Sequence, residues 1–199
     1  MQVTRATVLP VLVRVGDAEV SPAHLTDPFL GGLTVGYTLE PAGRRRLLTW
    51  PELERSGLPH RELWRAAAAN LYRLLERVAI HGQPPALMLS LDGLESSALL
   101  AHAFWDDLAG SVPGDLVVGV PARDVVIFTG AHSHSGLRKL RRAVDRVFFA
   151  GGPHLLSSDL LVRRRRRWEV FAPEWEPPPV PGSPVVPRQR MSLSNGSAR

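Results

Sequence analysis

Apolar residues up to residue 171 change their spacing from about two to about 3.6 and back several times, so neither an all-helical nor an all-strand architecture can bury them. Thr7 to Val15 reads as a strand and Ser21 to Pro28 as a loop. Leu33, Val35, Tyr37 and Leu39 alternate with Thr34, Gly36 and Thr38, the pattern of a strand with one buried face. Gly43 then turns the chain into an antiparallel partner over Arg45 to Thr49, and Trp50-Pro51 opens a short helical turn that ends near Gly57. The longest periodic segment predicts a helix from Pro59 to His81, stopped by Gly82, Pro84 and Pro85. Its core stripe is Leu63, Ala67, Leu71, Leu74, Leu75 and Val78, and Asn70 sits beside that stripe. A buried amide there needs partners, either backbone groups or a ligand.

Ala86 to Leu91 reads as a central strand, and Asp92 with Glu95 has the spacing of a capping box. The box opens a helix over Glu95 to Leu108, whose buried face holds Ala98, Ala101, Trp105 and Leu108. Leu116 to Val120 and Val125 to Phe128 form a hairpin through the four-residue connection Pro121-Ala122-Arg123-Asp124. A third helix, Gly136 to Ala150, has an apolar face of Leu137, Leu140, Val144, Val147 and Phe148, opposite a row of Arg138, Arg142 and Arg146. A closing hairpin spans Leu160 to Phe171. Hairpins between helices place residues 1–171 in the α+β class, a mostly antiparallel or mixed sheet with about three helices packed on one face. Residues 172–199, with seven prolines between Pro173 and Pro187, read as a proline-rich disordered tail.

Absences narrow the function. The chain of 199 residues has no cysteine, which excludes a disulfide framework and a thiolate zinc site and fits a reducing cytoplasm. No apolar run approaches the roughly 20 residues of a membrane-crossing helix, and Arg5 and Arg14 interrupt the place where a signal peptide's apolar core would lie. The expected location is cytoplasmic. Neither G-x-x-x-x-G-K-[ST] nor G-x-G-x-x-G occurs, so no cofactor is expected. His132 and His134 form the only close histidine pair, in a polar loop without a nearby carboxylate, so no metal is expected either. Ser96-Ser97 lacks the G-x-S-x-G setting of an exposed nucleophile, and the adjacent Asp106 and Asp107 point about 100° apart on a helix.

Several short stretches together resemble an uncharacterised bacterial family, domain of unknown function 1444, from about Val8 to Phe171. They are Val8-Leu9-Pro10-Val11 through Leu53, Ala69-Asn70-Leu71, Ala103-Phe104-Trp105, and Gly114-Asp115-Leu116-Val117-Val118 with Pro121-Ala122-Arg123-Asp124. The resemblance implies a cytoplasmic bacterial protein with an α+β core, and longer relatives that carry an N-terminal segment absent here. It carries over no catalytic residue.

Charge supplies the remaining candidates. The formal net charge is +5, and Lys139 is the only lysine among 24 basic residues. They concentrate in Arg44 to Arg46, Arg138 to Arg146 and the run Arg163 to Arg167. An extended run sends Arg163, Arg165 and Arg167 to one side. With Arg138, Arg142 and Arg146 these would contact an acidic protein or nucleic acid, making the protein a non-enzymatic binding or accessory component. The alternative is an enzyme or small-ligand protein with an anion-binding pocket near Arg123 and Asp124, to which Asn70 could contribute.

Overall fold

A computed structural model describes residues 5–39 and 45–172. The expected turn at Gly43 and, beyond Ala172, the expected proline-rich tail lie outside the described residues.

The strands form two antiparallel sheets, so the α+β class holds. The smaller is built on β3 (Leu33–Leu39), which has partners along both of its edges. β1 (Leu9–Arg14) pairs along one edge with Leu12 opposite Val35, leaving the other to β2 (Thr26–Pro28) and β4 (Arg46–Leu47). β2 lies inside the segment expected as loop, because the free edge of β3 supplies hydrogen-bond partners that override two prolines. Helix α1 (Trp50–Ser56) starts where Glu52 accepts from the Thr49 N–H, and α2 (His60–Leu75) lays Leu63 and Ala67 on this sheet.

α2 ends six residues before the expected His81. Ala79–Gln83 instead forms β5, paired with β6 (Ala86–Ser90), since the central strand needs a partner on its open edge more than the helix needs another turn. With β7 (Leu116–Ala122), β8 (Val125–Gly130), β9 (Leu160–Arg164) and β10 (Arg167–Val170) these make a six-stranded sheet in the order β10-β9-β7-β8-β6-β5.

Every residue of β7 is buried, which requires cover on both faces and explains why the helices do not all lie on one. On one face α4 (His134–Ala150) packs Leu140 and Val144 against Val117, Ile127, Leu160 and Val162. Gly119 permits that approach: a Cβ there would come 2.3 Å from Val144 Cγ2. On the other face Leu116, Val118, Val120 and Phe128 meet Trp105 together with Leu12 and Val35 of the smaller sheet.

The expected helix over Glu95 to Leu108 is two pieces, a 3-10 helix (Glu95–Leu100) and α3 (His102–Ala109), broken at Ala101. The Ala98 and Leu99 carbonyls, which a continuous helix would bond to residues 102 and 103, accept instead from the indole N–H groups of Trp105 at 2.6 Å and Trp168 at 2.8 Å. The capping box is replaced too. Glu95 Oε1 accepts from the N–H groups of Leu91 and Gly93, while Asp92, at φ 52°, turns its carboxylate 2.7 Å from Arg77.

Candidate anion-binding cleft

The β7–β8 connection is tighter than expected. Ala122 pairs with Val125, so Arg123 and Asp124 alone make the turn, after a register shift between Gly119 and Ala122. Two backbone bonds fix it: the Arg123 N–H donates to the His154 carbonyl and the Ser96 N–H donates to the Arg123 carbonyl, both at 3.0 Å. Held this way, the turn directs the Arg123 guanidinium into a cleft of about 640 Å³ where the two sheets meet. The smaller sheet contributes Val11, Thr38, Arg46 and Leu47 to its walls, and Arg45 precedes β4 there; Gly93, Leu94 and His154 close it.

Arg123 is the best-placed cation in this cleft. Its side chain is only 16% exposed, and burial pulls its pKa below the ordinary arginine value while leaving it charged. Among the described residues the nearest carboxylate to pair with it, Glu19 Oε2, is 3.8 Å away, beyond hydrogen-bond reach, and Arg123 Nε is buried with no partner among them. The same Glu19 oxygen lies 3.1 Å from His154 Nδ1. Arg46 is committed elsewhere: it grips Glu52 through both oxygens at 2.6 and 2.9 Å, and this bond holds the Glu52 carboxyl down at about 2. Arg45 donates to the Asp92 carbonyl. Three arginines with His24 and His154 therefore face two carboxylates, Glu19 and Asp124, between apolar walls.

The other sequence candidates are dispersed. Asn70 is buried away from the cleft; its amide donates to the carbonyls of Arg5 and Val8 at 2.8 Å and its oxygen accepts from Arg73, so it pins α2 to the chain preceding β1. Arg163 is 6% exposed, ion-paired with Asp106, bonded to the His102 carbonyl and stacked 5.5 Å over Trp168. It is an internal brace rather than a docking residue, because its strand position faces the Trp105 side of the sheet. Arg165 and Arg166 occupy the β9–β10 turn with φ of 47° and 64°, so the arginine run is not extended and Arg165 does not share a face with Arg163. Arg167 stands opposite Arg164, on the α4 face with Val162. Arg138, Arg142 and Arg146 are exposed on α4, and the first two border a groove with Leu160 and Phe171. Ser96 and Ser97 are wholly buried. Among the described residues no three ligating side chains converge on a metal position.

Sequence reasoning found Arg123 and Asp124 through the chemistry of their turn, but missed Glu19, His24 and His154. No local pattern marks them, since tertiary packing alone brings them to Arg123.

Comparison with known proteins adds a family context. Over 153 residues, 75% of this chain, it is 29% identical to a UPF0354 protein of Listeria monocytogenes serotype 4a and 28% identical to UPF0354 protein lin1649 of Listeria innocua. UPF0354 protein lwe1624 of Listeria welshimeri is 25% identical over the same length. The chain resembles an uncharacterised bacterial family. It spans about half the length of these relatives, 55% of each. No family model matches, and no solved structure matches. Among the described residues no helix is long and apolar enough to cross a membrane.

Proposed function

We propose that this is a cytoplasmic binding protein, of the domain of unknown function 1444 family by the motifs quoted above, whose ligand is a small anion carrying an apolar portion, held in the Arg123 cleft. The observation that carries the reading is the Arg123 guanidinium, mostly buried in a concave site with an Nε that no described residue satisfies. A buried donor without a partner is costly, and a phosphate or carboxylate supplies the forked acceptor that guanidinium geometry fits. The apolar walls from Val11, Leu47 and Leu94 suit the remainder of such a ligand.

Titration calorimetry of the full chain with phenyl phosphate tests this. Saturable binding is expected, with phenol inert and Arg123→Gln weakened about tenfold or more, the scale of one charge-assisted pair. Equal affinity in the wild type and Arg123→Gln would remove the cleft from consideration.

A macromolecular partner on the arginine-rich face is the second reading, supported by Arg138, Arg142 and Arg167 standing exposed on the α4 side of the large sheet. Its test is loss of a captured acidic protein or nucleic acid by the double variant Arg142→Glu, Arg167→Glu at moderate salt.

A further inference from the structure

A second pocket, of about 340 Å³, opens beside the edge strand β2 and has a different chemistry from the arginine cleft. Its walls include Asp27, Phe29, Val35, Trp64, Leu100 and His102, and so are apolar apart from two groups. Asp27 Oδ2 accepts from the Tyr37 hydroxyl and lies 3.0 Å from His60 Nε2, while Oδ1 has no partner among the described residues. Tyr37 is fully buried; burial and the hydrogen bond to Asp27 raise its pKa, so it stays protonated and cannot add a charge. Its ring meets Trp64 edge-on at 6.4 Å, and Trp64 remains 38% exposed at the pocket mouth.

His102 completes the electrostatics. Its Nδ1 lies 3.1 Å from Arg163 Nη1, a group that can only donate, so the ring proton is on Nε2. Burial, reinforced by the Arg163 charge, lowers the His102 pKa and keeps the ring neutral. Among the lining residues, Asp27 is then the one that carries charge. A carboxylate with an open oxygen among aromatic and aliphatic walls repels anions and gives a neutral apolar molecule no use for its charge. It matches an ammonium group, which a tryptophan face also attracts.

We propose that this pocket binds a small organic cation, an ammonium group on an apolar body, with Asp27 as counter-charge and Trp64 as aromatic wall. The inference is independent of the anion cleft and assigns the protein a second ligand of opposite charge.

The test is calorimetric titration of the full chain at pH 8 with benzyltrimethylammonium chloride. Benzyl alcohol and benzoate are the neutral and anionic controls. Saturable binding of the cation alone is expected, weakened about tenfold or more by Asp27→Asn, which removes the charge and keeps the shape. Trp64→Leu, at a half-exposed helix position, should lose binding while its far-ultraviolet circular dichroism stays that of the wild type. This variant decides the matter should Asp27→Asn fail to fold. Absence of saturation by the cation up to about 10 mM, an affinity too weak for a built site, would overturn the proposal. So would benzoate binding as tightly as the cation, or a folded Trp64→Leu that binds as the wild type does.

Discussion

Five consecutive arginines occupy different environments in the β9–β10 hairpin, and only Arg163 is buried. A guanidinium in such a place is tolerable because Asp106, the His102 carbonyl and the Trp168 ring together replace the water it has lost. Removing it leaves Trp168 without its cover and Asp106 with Arg166 alone. Arg163→Ala should therefore lower stability by more than a truncation at either exposed neighbour, since it uncovers Trp168 and empties a buried site. Arg165→Ala and Arg167→Ala, both exposed, should stay within about 0.5 kcal/mol of wild type in urea unfolding. A midpoint for Arg163→Ala equal to theirs would show that the ion pair braces nothing. Glu52 gives a matching acid signature. Its folded pKa lies at about 2 against an ordinary 4.5, so its contribution is fully present above pH 4.5 and is lost as pH falls toward 2. Screening at the half-exposed Arg46 reduces this to about 1 kcal/mol. Between pH 5 and 2 the wild type should lose that much more stability than Glu52→Gln, whose acid limb is correspondingly flatter.

At the scale of elements, α4 depends on a missing side chain. Gly119 lies under Val144, Leu140 and Leu160, and the nearest atoms of these would be 2.3, 3.2 and 3.3 Å from a new Cβ. Gly119→Ala should push α4 from the sheet at about 1–3 kcal/mol, the usual overpacking cost, and Val144→Ala in the same chain should recover part of it. Urea unfolding of Gly119→Ala with the stability of wild type would mean that α4 shifts freely, contrary to its packing. The same elements show what a sequence can disclose. The β7–β8 hairpin and the two faces of α4 were legible because each is specified within its own residues. β5 was not, because Val78 to His81 continues an apolar stripe and only the open edge of β6 makes it a strand. The break at Ala101 was hidden more deeply: it depends on two indoles, one of them 69 residues away in the chain from the carbonyl it occupies. The cleft divides in the same manner. Turn chemistry exposed Arg123 and Asp124, whereas Glu19 and His154 arrive from loops that carry no signal of their own.

For the whole molecule, the decisive fact is that one apolar cluster joins both sheets. Trp105 sits at its centre, fully buried, with edge-on contacts to Phe128 at 5.8 Å and Trp168 at 5.4 Å, in a cluster that also holds Leu12 and Val35 of the smaller sheet. Its indole N–H donates to the Ala98 carbonyl, which a continuous α-helix would bond to residue 102. Truncation removes an aromatic core residue and a hydrogen bond that fixes the Ala101 break, so Trp105→Ala should cost about 3 to 5 kcal/mol. Against a total of about 5 to 15 kcal/mol, that leaves a substantial unfolded fraction for a protein at the lower end. The two sheets share this cluster, so the loss cannot stay in one of them. Amide exchange should quicken in β3 and β7 together in the variant. Retention of wild-type protection in β3, with loss confined to β7 and β9, would show that the smaller sheet folds as its own cooperative unit and that the cleft is a boundary between two units rather than a feature of one.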